Sequence, residues 1–135
     1  MHTLAERLLT PWTPAEIDRL TGWRRALHAE PELSLREHDT QERLRTALAS
    51  LGLQDVRTVG GTGLVVDLGH GDGPTLLLRA DMDALPIDEA SGVAWSSTHD
   101  GVMHACGHDG HTAMLLAAAC HLARDGQFDG TLNLI

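Results

Sequence analysis

Apolar residues return with a helical period early in the chain. Thr13-Pro14-Ala15-Glu16 joins a capping threonine, a proline suited to a first helical position and a capping-box glutamate, and Ile17, Leu20, Trp23 and Leu27 follow at helical spacing. This pattern predicts a helix that stops before Pro31. Ser34-Leu35-Arg36-Glu37 repeats the capping-box signature ahead of Leu44, Leu48 and Leu51, with Gly52 placed as a C-terminal cap. A second helix is therefore expected over residues 35–51. Val56 to Val59 and Leu64 to Leu68 are β-prone runs separated by Gly60-Gly61, the chemistry of a hairpin. After a turn at Asp72-Gly73-Pro74, Thr75 to Leu78 is continuously apolar, as expected of a strand covered on both faces.

From Asp81 to about Asp109 no period is visible, and Pro86, Gly92, Gly101 and Gly107 break the chain into a long loop. Ordered loops of that length are usually functional. Thr112 to Leu122, rich in Ala, Leu and Met, predicts a largely buried helix ended near Asp125-Gly126, and Thr131 to Ile135 resumes a strand. A right-handed crossover through that helix makes the strands at 75–78 and 131–135 parallel. Ligand sites in such sheets lie beyond the carboxyl ends of the strands, where the loop from Asp81 starts. Because Ile135 ends the sequence inside an apparent strand, the chain reads as a fragment.

Composition narrows the setting. With 135 residues, 42% of them apolar, the chain can bury one core and hardly two. No apolar run approaches the roughly 20 residues of a membrane helix, and Met1 to Trp12 lacks the apolar block of a signal peptide, so a cytoplasmic protein is expected. All ten positive charges are Arg, scattered against 19 acids for a net charge of −9, which leaves no basic face for nucleic acid.

The candidate chemistry is concentrated in His99-Asp100-Gly101-Val102-Met103-His104-Ala105-Cys106-Gly107-His108-Asp109-Gly110-His111, which holds four of the nine histidines. In an extended stretch His104, Cys106 and His108 would share one side and converge. Thiolate and imidazole suit borderline first-row metals such as zinc, manganese or cobalt, and a helix starting near Asp109 would bring its positive end to the Cys106 thiolate. A lone Cys-x-His is more often a surface loop, but four His, one Cys and two Asp within thirteen residues tip the balance to a metal site. A disulfide from Cys106 to Cys120 is disfavoured, since about eleven helical residues would separate them by some 16 Å against a limit of roughly 7 Å. Cys120 reads as core packing.

Arg79-Ala80-Asp81-Met82-Asp83-Ala84-Leu85-Pro86 follows the apolar strand, so Asp81 and Asp83 can face one site from its end. A carboxylate there can bind a cation or accept the free N–H of a metal-bound histidine and fix its tautomer. A solvated turn is the plainer reading of the two Asp residues, and an ion pair with either is the plainer role for Arg79. His28, His38, His70 and His121 read by default as surface or helix-end histidines.

Three blocks together resemble a known family: Arg24-Arg25-Ala26-Leu27-His28-Ala29-Glu30-Pro31-Glu32-Leu33-Ser34, Leu78-Arg79-Ala80-Asp81-Met82-Asp83-Ala84-Leu85-Pro86-Ile87, and Gly101-Val102-Met103-His104-Ala105-Cys106-Gly107-His108-Asp109-Gly110-His111-Thr112-Ala113. They look like the bacterial N-acyl-amino-acid amidohydrolases, the branch of metallopeptidase family 20 with aminoacylase-like enzymes, hippurate hydrolases, N-acetyldiaminopimelate deacetylases and plant auxin-conjugate hydrolases. The resemblance runs in order from about residue 20 to the end, and its last block is highly specific. It implies an α/β, zinc-peptidase-like mixed sheet with flanking helices, here the N-terminal part (1–135) of a metal-dependent catalytic domain, with the dimerisation domain and the rest of the catalytic domain absent. It implies one or two divalent ions, Zn or Mn, in the complete enzyme, with Cys106 and His108 as ligands and Asp83 as the active-site carboxylate beside them. Asp81, His104, Asp109 and His111 are further candidates for contacts with the ligands or the substrate.

The expected activity is hydrolysis of the amide bond of an N-acyl amino acid or related conjugate to a carboxylic acid and a free amino acid. The expected partner is that small molecule, without nucleic acid or membrane, and a homo-oligomer is open to the full-length protein. In this family the general-base glutamate and the further ligands lie downstream of the strand at 131–135. The last glutamate here is Glu89 and no acid follows Asp129, so the chain alone is expected to be inactive, with Asp109 or Glu89 as poor substitutes for the base. The rival expectations are a non-catalytic metal-binding module and a degenerate fragment without metal.

Overall fold

A computed structural model describes residues 12–125 and 128–135. The expectations for Met1 to Pro11 and for Gly126 as a helix stop lie outside the described residues. The elements in order are α1 (Pro14–Ala29), α2 (His38–Ser50), β1 (Arg57–Val59), β2 (Gly63–His70), β3 (Thr75–Leu78), α3 (His108–Asp125) and β4 (Gly130–Leu134).

The first helix starts as its sequence predicts. The Thr13 hydroxyl accepts from the Glu16 backbone N–H at 3.2 Å, and the Glu16 carboxylate accepts from the Thr13 backbone N–H at 2.7 Å. It ends at Ala29, ahead of Pro31. Along its predicted stripe Leu27 is buried and Trp23 partly so, while Ile17 remains 42% exposed.

The start of α2 differs from the expected capping box. Leu35 adopts a left-handed φ of 64°, Glu37 is the N-cap residue without a capping side-chain hydrogen bond, and the helix opens only at His38. The free N–H groups of Asp39 and Thr40 are taken by the Glu32 carboxylate at 3.3 and 2.7 Å, from outside the helix. Glu37 is instead buried, where it accepts a hydrogen bond from the Thr62 hydroxyl at 2.7 Å. The capping box is a local pattern, and here the Glu32 carboxylate, from the turn ahead of the helix, supplies the acceptors instead. Gly52, with φ 83°, ends the helix as expected, its N–H returning to the Ala49 carbonyl.

The four strands form one mixed sheet in the order β1-β2-β4-β3. β1 and β2 form the expected hairpin, Val59 opposite Gly63. β2 and β4 are antiparallel, Val66 opposite Leu134, and β3 runs parallel to β4, Leu78 opposite Leu134, as the crossover rule requires. The core joins Leu64, Val66 and Leu68 of β2 and Leu132 and Leu134 of β4 to Ala47 and Leu48 of α2 and Leu116 and Ala119 of α3.

β3 departs from expectation. It is an edge strand, with Leu76 57% and Leu77 53% exposed, rather than a strand covered on both faces. A continuous apolar run marks a strand able to be buried, but the neighbours it acquires are set by strand order.

The loop from Asp81 to Gly107 is held by tertiary contacts in place of regular structure. Ala84 N–H donates to the Glu32 carbonyl, Leu85 and Met103 form an isolated antiparallel bridge, and Thr98 N–H donates to the Ala29 carbonyl. The Arg25 guanidinium stacks 4.0 Å from the Trp95 ring centroid. Residues 24–33 thus serve as the backing against which the loop is laid.

Candidate metal centre

The third helix begins at His108, one residue before the start expected near Asp109 and ahead of the apolar run from Thr112. Ahead of it the chain is folded, not extended: Ala105 N–H returns to the Met103 carbonyl and Gly107 N–H to the His104 carbonyl. Gly107, at φ 80°, supplies the left-handed residue that turns this segment into the helix. Alternate residues share a side only in extended backbone. His104 accordingly does not share a side with Cys106: His104 is buried at 4% exposure while Cys106 is exposed. Among the described residues no group of three or more His, Cys, Asp or Glu is arranged to hold a metal ion.

What the fold does bring together is His108 and Asp83. His108 Nδ1 lies 2.8 Å from Asp83 Oδ1 and 3.0 Å from the Asp83 carbonyl oxygen. Both oxygens accept, so Nδ1 carries the proton and donates, which leaves the Nε2 lone pair free for a cation. The two side chains are 17% and 27% exposed, which shelters the pair without sealing it off. They border a cavity of about 570 Å³ whose wall includes Asp81, Thr112, Leu116 and Leu134. Cys106 is not part of that wall.

Asp81 does not join Asp83 on the histidine. Its carboxylate takes two hydrogen bonds from Arg79, at 2.9 and 2.7 Å, and those bonds hold its pKa below the ordinary carboxylate value. Its backbone carbonyl accepts from the Thr112 hydroxyl at 3.2 Å, which ties the end of β3 to α3. His111 is exposed, its ring centroid 5.9 Å from that of His108. His99 turns the other way, with Nδ1 donating to the Pro31 carbonyl at 2.9 Å and Nε2 3.2 Å from Glu30.

Cys106 and Cys120 are both free thiols. Cys120 is buried in α3, its sulfur accepting from Arg19 Nη2 at 3.4 Å, in line with a packing role. The donor chemistry at the loop end, an exposed thiol and an imidazole with its tautomer fixed, fits two ligands of a divalent ion.

Sequence reasoning missed a second constellation. His28, read as a surface or helix-end histidine, does lie in the last turn of α1 but is 5% exposed, between two carboxylates, with Nδ1 2.8 Å from Asp109 Oδ2 and Nε2 3.0 Å from Glu89 Oε1. Arg24 Nε reaches the same Asp109 oxygen at 2.7 Å. Glu89 also accepts from the Ser91 hydroxyl and from the Ser97 backbone N–H at 2.6 Å, and these bonds, led by that from Ser91, hold its pKa down at about 2. Asp109 is 1% exposed with Oδ1 unpartnered among the described residues, as are both ring nitrogens of His104. Burial lowers the pKa of His104, favouring its neutral ring. The available signal was the clustering of Arg24, His28 and Glu32 in one sequence block, but spacing alone could not say what His28 faces, 61 and 81 residues away.

The Glu89 and Asp109 side chains are both buried against these partners.

Among the described residues no helix is long and apolar enough to cross a membrane.

Residues 77–135 match the Peptidase M20 model, described as peptidase family M20/M25/M40. The chain is 49% identical over 102 residues to N-acetyl-L-cysteine deacetylase of Bacillus subtilis, a match covering 75% of this chain and 24% of that protein. It is 45% identical over 116 residues to N-acyl-L-amino acid amidohydrolase of Geobacillus stearothermophilus, covering 79% of this chain and 31% of the relative. Its fold superposes on the crystal structure of the Bacillus subtilis YXEP protein, described as a dinuclear metal binding peptidase from the M20 family, with a TM-score of 0.82 and 40% identity over 87% of this chain and 33% of that one. The chain thus spans about a third or less of the length of these relatives. The matched segment runs from within β3, through Asp83 and His108, to the end of β4, and over it the chain is similar to peptidase family M20/M25/M40.

Proposed function

We propose that this chain supplies part of the catalytic domain of a metal-dependent amidohydrolase that cleaves N-acyl amino acids or related conjugates to a carboxylic acid and a free amino acid. The observation that carries the reading is the Asp83 to His108 hydrogen bond, which presents Nε2 as a ligand atom. Similarity to relatives named as a deacetylase and an amidohydrolase supports the substrate class.

In this reading Cys106 contributes a thiolate and His108 an imidazole to one or two divalent ions, Zn or Mn. Bound there, the cation would lower the pKa of a coordinated water toward neutrality and polarise the scissile carbonyl. Asp83 holds the proton on Nδ1 and orients the ring, which presents Nε2 as the ligand atom. With Glu89 and Asp109 both engaged, we propose that the general base and the remaining ligands are supplied by residues outside these 135, and that the chain as given does not turn over substrate.

Two measurements test this together. Metal content of the purified full-length protein should fall in Cys106→Ala and His108→Ala, and amino acid should be released from an N-acyl substrate only with metal present. Equal metal in all three proteins removes the proposed ligands. Binding without release would leave a metal-binding module.

A further inference from the structure

The buried network around His28 has no part in the chemistry just described, yet it ends on the residue next to His108. Asp109 sits in the first turn of α3, where the helix N-terminus favours its negative charge. Its side chain is fully shielded from solvent, and an uncompensated carboxylate there would carry a large desolvation penalty. Arg24 and His28, both from α1, provide the compensation. Arg24 is 38% exposed and long, so its grip is adjustable; His28 is short, buried and held from its far side by Glu89. Ionised carboxylates only accept, so each contact uses a ring N–H.

We infer that His28 is a positioning residue of the metal centre: through Nδ1 it fixes Asp109, hence the first turn of α3, hence the direction in which His108 presents Nε2. The Nε2 contact to Glu89 locks the His28 ring and ties α1 to the loop, while the Nδ1 contact acts on the ligand. This rests on the metal-site reading above and adds to it a residue 80 positions upstream of His108.

The two arms can be separated by substitution. An asparagine amide at position 28 reproduces the Nδ1 donor, and a glutamine amide reproduces the Nε2 donor. The readout is the dissociation constant for Zn²⁺ alone, measured on the full-length protein by competition with a chromophoric chelator, with the thermal midpoint followed in parallel. His28→Gln should bind Zn²⁺ about 10- to 100-fold more weakly, the range for removing a residue that orients a metal ligand, while His28→Asn and Glu89→Gln stay within about threefold of the parent. All three should lose thermal stability, so stability does not track affinity. Equal affinity in His28→Gln and the parent would overturn the inference, as would a tenfold loss in His28→Asn, which decides the matter even where His28→Gln fails to fold. If Cys106→Ala and His108→Ala bind Zn²⁺ as the parent does, the metal-site reading itself has failed and this inference falls with it.

Discussion

The first residue of α3, His108, donates from Nδ1 to the Asp83 carboxylate at 2.8 Å, so an imidazole at the start of a helix is oriented by an acid five residues beyond the end of β3. The bond spans 25 positions of sequence.

Removing that acceptor should weaken metal binding more than folding. Asp83→Ala is expected to raise the Zn²⁺ dissociation constant about 10- to 100-fold, because the His108 ring loses both its orientation and the charge behind it. Asp83→Asn keeps an acceptor and should fall between that variant and the parent. A chelator competition titration on the full-length protein reads the series, and an unchanged constant in Asp83→Ala would contradict the proposed role.

Glu89 predicts an acid limb of stability. Its pKa in the fold is about 2 against an ordinary 4.5, so the folded form stabilises the carboxylate. That stability is fully present above pH 4.5, declines as pH falls, and is lost as pH passes through about 2. Glu89→Gln should flatten the dependence of unfolding free energy on pH in this window. Parallel curves for variant and parent would exclude the contribution.

The entry to α2 offers a comparison between two readings of the same segment. Glu32→Ala should cost about 0.5–2 kcal/mol, the range for losing a helix cap, since Asp39 and Thr40 lose their acceptor. Ser34→Ala, which the capping-box reading would make equally damaging, should stay within about 0.5 kcal/mol. Denaturant melts of the two variants decide between the caps.

The parallel pair β3 and β4 separates apolarity from burial. Leu132→Ala empties a buried position and should cost about 2–5 kcal/mol. Leu76→Thr, directly opposite on the exposed edge strand and introducing a β-branched residue suited to a strand, should cost no more than about 0.5 kcal/mol. Equal losses would mean that the edge is covered in solution.

The two thiols should react at different rates. Cys106 is exposed and Cys120 buried, so alkylation of the native protein should label Cys106 first, and added Zn²⁺ should protect it if it ligates. Labelling unaffected by metal would argue against Cys106 as a ligand.

Much of this architecture is set by local chemistry. The Thr13 to Glu16 capping box, the stop before Pro31, the Gly52 cap and the hairpin at Gly60-Gly61 all form where short-range pattern places them, because each depends on groups a few residues apart. The family blocks likewise marked Asp83, Cys106 and His108 as the residues to examine. Three features needed the folded chain. The strand order decided that Leu76 and Leu77 are exposed, the approach of Glu32 displaced the expected cap, and the folded turn before His108 separated His104 from Cys106. The burial of His28 between Asp109 and Glu89 belongs with them. Hydrophobic period and capping act over one or two turns and can be read in a line of residues. Which carboxylate meets which imidazole is settled by packing between segments 25 to 81 positions apart, and no local pattern encodes that distance.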